Sequence, residues 1–245
     1  MSVEPDEQSE PEAETPEPWS CPIPQSHDRF GEAHYFLHRL ESDYHHPQLF
    51  RYNLNAFVSA LRAVHEILAK ELERKGEVTW WKERRREFAE DEVLARFARG
   101  RNLALHQRSI LEGSRVSIGL FRGRRMKLAQ ETDIQTDEPS DALLRRVLPH
   151  FIPFLVDEEH SAIGEQIGVE RLYFVRELSP TEDVLRACFR ALARTTGALS
   201  EAHNRLGAEH EQVSDEDVLD PRHLAEVSVL LESDLDPEAI DRWGW

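Results

Sequence analysis

Between residues 48 and 75 the sequence places Leu54, Phe57, Val58, Leu61, Val64, Leu68 and Leu72 at helical spacing. A stripe sustained for about five turns commits the segment to a helix with one apolar face, because a strand would send these side chains alternately to both sides. At ~1.5 Å per residue the helix is about 40 Å long, a full domain diameter. A rod with one dry face needs partners along its length, so the expected class is mainly α, a helical bundle. Gly76 is the natural stop, with Arg74 and Lys75 in the last turn where cations favour the helix dipole.

The rest of the chain adds elements to this rod. Ala33, Phe36, Leu37 and Leu40 predict a first helix over about 28–43, and Pro47 allows a new start. Further helices are predicted from Val78, through Trp80, Trp81 and Phe88, and from Asp91, through Leu94, Phe97 and Leu105 to about Leu111. The period then changes to two. Val116, Ile118 and Leu120 alternate with Ser117, Gly119 and Phe121, and Met126 and Leu128 follow Arg122-Gly123, which predicts a small basic β-hairpin over about 115–130. Residues 131–169 read as irregular apart from a short helix at 141–148, and a third strand is expected from Arg171 to Glu177, so a β insertion covers 115–178. Ser179-Pro180-Thr181-Glu182 reads as a capping box opening a long helix with the stripe Leu185, Cys188, Phe189, Leu192 and Leu199.

Charge divides the 245 residues into three parts. The formal net charge is −17. Residues 1–26 hold seven acidic residues, no Lys or Arg and six prolines, and read as a disordered acidic tail. Residues 211–245 hold eleven acidic and two basic residues. They read as a second acidic tail, with short helices after Asp220-Pro221 and Asp236-Pro237 and with Leu224, Val227 and Leu231 at helical spacing. The intervening 27–210 is the helical domain, and its segment 82–127 carries thirteen basic against six acidic residues. A basic segment on a nearly neutral body is the footprint of phosphate binding, or simply a solvated helix face.

No run approaches the ~18 apolar residues of a membrane span, and the first residues lack the basic and apolar regions of a secretory signal, so the expectation is a cytoplasmic protein. Two cysteines, Cys21 and Cys188, support neither a disulfide framework nor a cysteine-based metal site. His34 and His38 stand one turn apart, but nothing near them completes a ligand set, and His65-Glu66 lacks the second histidine of a zinc-protease motif. No metal and no cofactor is therefore expected.

The informative stretch is Arg101-Asn102-Leu103-Ala104-Leu105-His106. Arg101 projects from the middle of an apolar arc, which demands a polar partner or an interface for its guanidinium. Arg101 and His106 point ~140° apart on a helix, so two helices about a twofold axis aim both at one phosphate better than one helix does. The segment resembles the Arg-polar-x-x-x-His signature of HEPN domains, all-helical domains of defence and toxin proteins. The resemblance implies a homodimer with a composite cleft and metal-independent endoribonuclease activity, in which Arg101 stabilises phosphate charge, His106 is the general acid/base and Asn102 orients them. Arg99, Arg108, Arg115, Arg122, Arg124, Arg125 and Lys127 would hold the RNA backbone. An antitoxin or defence partner is also implied, although members paired with a nucleotidyltransferase antitoxin often carry Tyr where this chain has Arg108. The competing class is a non-catalytic helical interaction or scaffold protein.

Overall fold

The computed structural model describes residues 21–106, 113–122, 125–156, 166–175, 178–208, 225 and 227–229, and in 100–106, 113, 122, 125 and 152–156 the backbone alone. Its helices are α1 (Pro24–Ser42), α2 (Pro47–Arg74), α3 (Val78–Glu90), α4 (Glu92–His106), α5 (Ser140–Val156) and α6 (Val184–Arg205). Its strands are β1 (Gly113–Arg122), β2 (Arg125–Ile134), β3 (Gln166–Phe174) and β4 (Val227–Val229), in the order β2-β1-β3-β4 and all antiparallel.

The expected stripe of α2 is the spine: all seven of its apolar residues are buried. Ala33, Leu37 and Leu40 of α1 and Leu185, Cys188 and Leu192 of α6 share a core with its first half, and Leu94 and Phe97 of α4 join them. Ile23, Trp81, Leu199 and Ala202 close over its second half. Gly76 ends the helix at φ +81°, with the Glu77 amide donating to the Leu72 carbonyl and the Gly76 amide to Glu73. Such a Schellman stop needs the left-handed backbone that glycine supplies. Gly207 ends α6 in the same way, at φ +74°.

The molecule is thus mainly helical, as expected, but the hairpin is not an isolated insertion in an otherwise all-helical bundle. Val116, Ile118 and Leu120 of β1 and Ile167 and Val169 of β3 pack on Leu143, Leu144 and Leu148 of α5, giving the sheet its own core. That packing explains why α5 runs on past Pro149 and Pro153 to Val156, where the sequence predicts a stop. A proline removes one ladder bond and crowds the preceding turn, and the apolar face laid on the sheet offsets this.

β3 opens at Gln166, five residues before the expected Arg171, where it pairs with Phe121 of β1, and three more boundaries differ from the sequence reading for physical reasons. α1 begins at Pro24, inside the stretch expected to be disordered, because the Glu71 carboxylate of α2 accepts from the Gln25 and Ser26 amides, both at 3.0 Å, and Ile23 is fully buried. α6 is capped by Asp183, whose side chain accepts from Leu185, while Ser179 bridges to Val175. Val227 lies in β4 rather than in a helix, since β3 offers an open edge. The remainder of both acidic tails, residues 1–20 included, falls outside the described residues, as does the helix expected after Asp236.

Close strand approach makes one glycine obligatory. A Cβ on Gly119 would stand 1.7 Å from the Leu128 carbonyl oxygen, next to the irregularity between Leu120 and Phe121, whereas a Cβ on Gly31 in α1 meets nothing within 4 Å. Gly119→Ala is therefore expected to lose about 3 kcal/mol, the upper end for overpacking, while Gly31→Ala gains up to about 1 kcal/mol from helix propensity. Urea midpoints of the two variants check both signs.

Candidate functional site

The long α2, with α3 and α4 folded back along it, leaves a cleft of about 720 Å³. Its apolar floor is Val58 and Leu61 of α2, Phe88 of α3 and Leu94 and Phe97 of α4. Its rim is predominantly basic: Arg62 and Lys70 from α2, Arg85 from α3 and Arg99 from α4, with Glu66 of α2 the acidic side chain among them. Local sequence explains the placement. Arg62 and Lys70 flank the buried stripe of α2, and Asp91 caps α4 by accepting from the Leu94 amide at 3.0 Å, which sets the turn between α3 and α4.

The four cations are not equivalent. Arg62 donates from Nε to Glu66 at 2.7 Å and is close to neutralised. Lys70, Arg85 and Arg99 have no ion pair among the described residues. The neighbouring Arg84 is occupied, bonding Glu201 of α6 and Glu87. The cleft therefore holds three uncommitted positive charges over a low-dielectric floor, an arrangement that attracts an anion with an apolar or aromatic body.

His65 also lines the cleft, stacked near Trp81 and edge-on to Phe88 at 5.7 Å. Thr195 donates its hydroxyl proton to the Ala191 carbonyl, so the 3.1 Å contact to His65 is Nε2–H donating to Thr195 Oγ1. Burial, and then the Arg85 charge, push the His65 pKa down to about 4. It is neutral at pH 7, its titration lying well below that of an ordinary imidazole.

Of the residues singled out from sequence, Arg99 is exposed on the cleft rim. Arg101, Asn102 and His106 lie on the last turns of α4, where positions 101 and 102 continue the helix face of Leu94, Phe97 and Ala98; their side chains are outside the description. Arg115 and Lys127 stand exposed on the sheet instead. Arg115 lies 3.4 Å from Asp133 on β2 and over the Phe174 ring. Arg122 and Arg125 are placed by backbone only at the hairpin ends, and Arg108 and Arg124 lie outside the described residues. Arg62, Lys70 and Arg85 were missed as a group. The available signal was their position beside the two helical stripes.

His34 and His38 do meet, edge-on at 4.5 Å, with His38 Nδ1 3.1 Å from Glu41. A different set, unforeseen from sequence, brings potential ligand atoms together: Cys21, His27 and His203, none of which lines the cleft.

Residues 15–226 match the family model described as bacteriophage lambda protein ea47. The chain belongs to that family. No curated protein and no solved structure matches it. The HEPN resemblance is thereby corrected. It rested on six residues of one helix, and an Arg and a His five positions apart are a common spacing in helical proteins, whereas the family match spans most of the chain and is to a different family.

The His65 environment makes a pH prediction. Its folded pKa is depressed, so between pH 6.5 and about 4 the unfolded chain binds more protons and stability falls as pH falls. His65→Gln keeps the donor to Thr195 without the titration. The parent is expected to lose about 2–3 kcal/mol more than this variant between pH 7 and pH 4. Equal losses in denaturant titrations at the two pH values would contradict the assignment.

Proposed function

We propose that this member of the ea47 family binds RNA, with the cleft between α2, α3 and α4 receiving backbone phosphates on its rim and a base on its apolar floor. The observation that carries the reading is the trio Lys70, Arg85 and Arg99, without carboxylate partners among the described residues of a chain with 47 acidic side chains. Acidic partners are abundant in such a chain, and Glu66 in the same cleft is engaged with Arg62, so three cations brought together by three helices favour an external anion. The apolar floor of Val58, Leu61, Leu94 and Phe97 suits a base, and single strands expose their bases for such contacts.

Cleavage is a further step within the same proposal. It requires a group that exchanges protons near neutrality. The lowered pKa of His65 argues against it in that role, and His106 stands on the last turn of α4. The roles assigned to Arg101, Asn102 and His106 came with the corrected resemblance, so the reading we favour is binding, with no catalytic residue assigned.

The test is fluorescence anisotropy with a labelled single-stranded RNA across a salt series. The expected slope of log affinity against log salt is about −2 for three phosphate contacts. Lys70→Ala, Arg85→Ala and Arg99→Ala together are expected to weaken binding at least tenfold and to flatten the slope toward zero. Unaltered affinity and slope would remove the cleft from consideration. A His106→Ala control separates cleavage from binding: RNA cut by the parent and left intact by this variant would turn the binding reading into an enzymatic one.

A further inference from the structure

The first turns of α1 and the last turn of α6 meet at one end of the bundle, away from the cleft. Cys21, just before α1, His27 on α1 and His203 on α6 each offer a ligand atom there, all within 4.8 Å of one another. We propose that these three residues bind one Zn²⁺ ion.

The geometry suits that ion. Cys21 Sγ lies 3.4 Å from His203 Nε2. With Zn–S ≈ 2.3 Å and Zn–N ≈ 2.0–2.1 Å, the edge of a tetrahedron joining the two donors is about 3.5 Å. The His203 and His27 rings are 4.6 Å apart and nearly perpendicular, so the two imidazoles approach the same space without stacking. One thiolate and two imidazoles form a borderline-soft donor set that suits Zn²⁺.

The tautomer suits it too. His203 Nδ1 is 2.8 Å from the Leu199 carbonyl oxygen, which can only accept, so Nδ1 carries the proton. The lone pair is then on Nε2, facing Cys21. A ligating histidine whose other nitrogen donates to a backbone carbonyl is the usual second-shell arrangement of a metal site. His203 is fully buried and cannot turn away.

Both sides of the site are held rigidly. The carboxylate of Glu71 takes the Gln25 and Ser26 amides and the Ser26 hydroxyl, anchoring the turn that carries His27. The glycine stop at Gly207 fixes the turn that carries His203. Cys21 is only half-buried, which gives the ion a way in and leaves the fourth position to a water molecule. Binding replaces the thiol proton of Cys21 with Zn²⁺, and that proton leaves to solvent.

The test uses the full chain, stripped with a chelator and titrated with Co²⁺ and then Zn²⁺. The expected result is one equivalent of Co²⁺ per chain, with the visible bands of a tetrahedral ion and a near-ultraviolet thiolate charge-transfer band, both abolished by Zn²⁺. Cys21→Ser is expected to lose the charge-transfer band and His27→Gln to weaken binding at least about tenfold, whereas His34→Gln changes neither. A second readout needs no variant: Zn²⁺ is expected to slow iodoacetamide labelling of Cys21 at least tenfold in the native chain, where Cys188 is fully buried. Absence of a tetrahedral Co²⁺ spectrum, its persistence in Cys21→Ser, or labelling of Cys21 at the same rate with and without Zn²⁺ would overturn the proposal.

Discussion

One buried carboxylate joins the two halves of this molecule. Asp183 accepts from the Leu185 amide at 2.8 Å, from the Tyr173 amide at 2.8 Å and from the Tyr44 hydroxyl at 2.5 Å. Those donors belong to the start of α6, to β3 and to the turn between α1 and α2. Tyr173 returns a bond to the Tyr44 carbonyl and stacks on Phe50 at 4.4 Å, so the same knot also fixes the start of α2. A buried carboxylate is costly unless its oxygens are filled, and here each donor comes from a different element. The helical core and the sheet core therefore have one admissible relative placement.

The knot extends into the sheet through Arg171. Its guanidinium is fully buried, lies over the Tyr173 ring at 4.6 Å and donates to Ser114 and to the carbonyls of Gln135, Thr136 and Glu138. Burial lowers its pKa, yet a guanidinium stays charged, and the ring of carbonyl dipoles satisfies its donors while the Glu138 and Asp137 charges act in its favour. The segment it gathers leads directly into α5, so the polar cage decides where that helix crosses the sheet. Arg84 and Arg85 show a similar division on α3: one is locked to α6 through Glu201, and its neighbour is left to the cleft.

What was legible in the sequence was whatever a local period encodes. The stripe of α2 and the alternation of β1 appear where periodicity places them, and Gly76 stops the helix it was expected to stop. What was illegible was decided by partners far along the chain. Asp183 won the cap of α6 over Ser179 because Tyr44, 139 residues away, donates to it. Glu71 pulled 21–26 out of the acidic tail from 45 residues away. Cys21 and His203 are separated by 182 residues, so no spacing rule could pair them. The cleft was legible in part. A basic segment containing Arg99 stands out by charge, but Arg62 and Lys70 belong to a helix whose sequence advertises only its apolar face.

The strand order has a consequence for how the chain is made. Among the described residues, β3 is covered on one side by β1 and on the other by Val227–Val229, a three-residue strand drawn from well beyond α6. During synthesis, α1 to α6 and β1 to β3 can emerge from the ribosome before that cover exists. Until it arrives, the outer edge of β3 presents unpaired amides and carbonyls, a template for any extended segment nearby. The nascent protein is thus most vulnerable to mispairing in the interval between completing α6 and releasing residue 229.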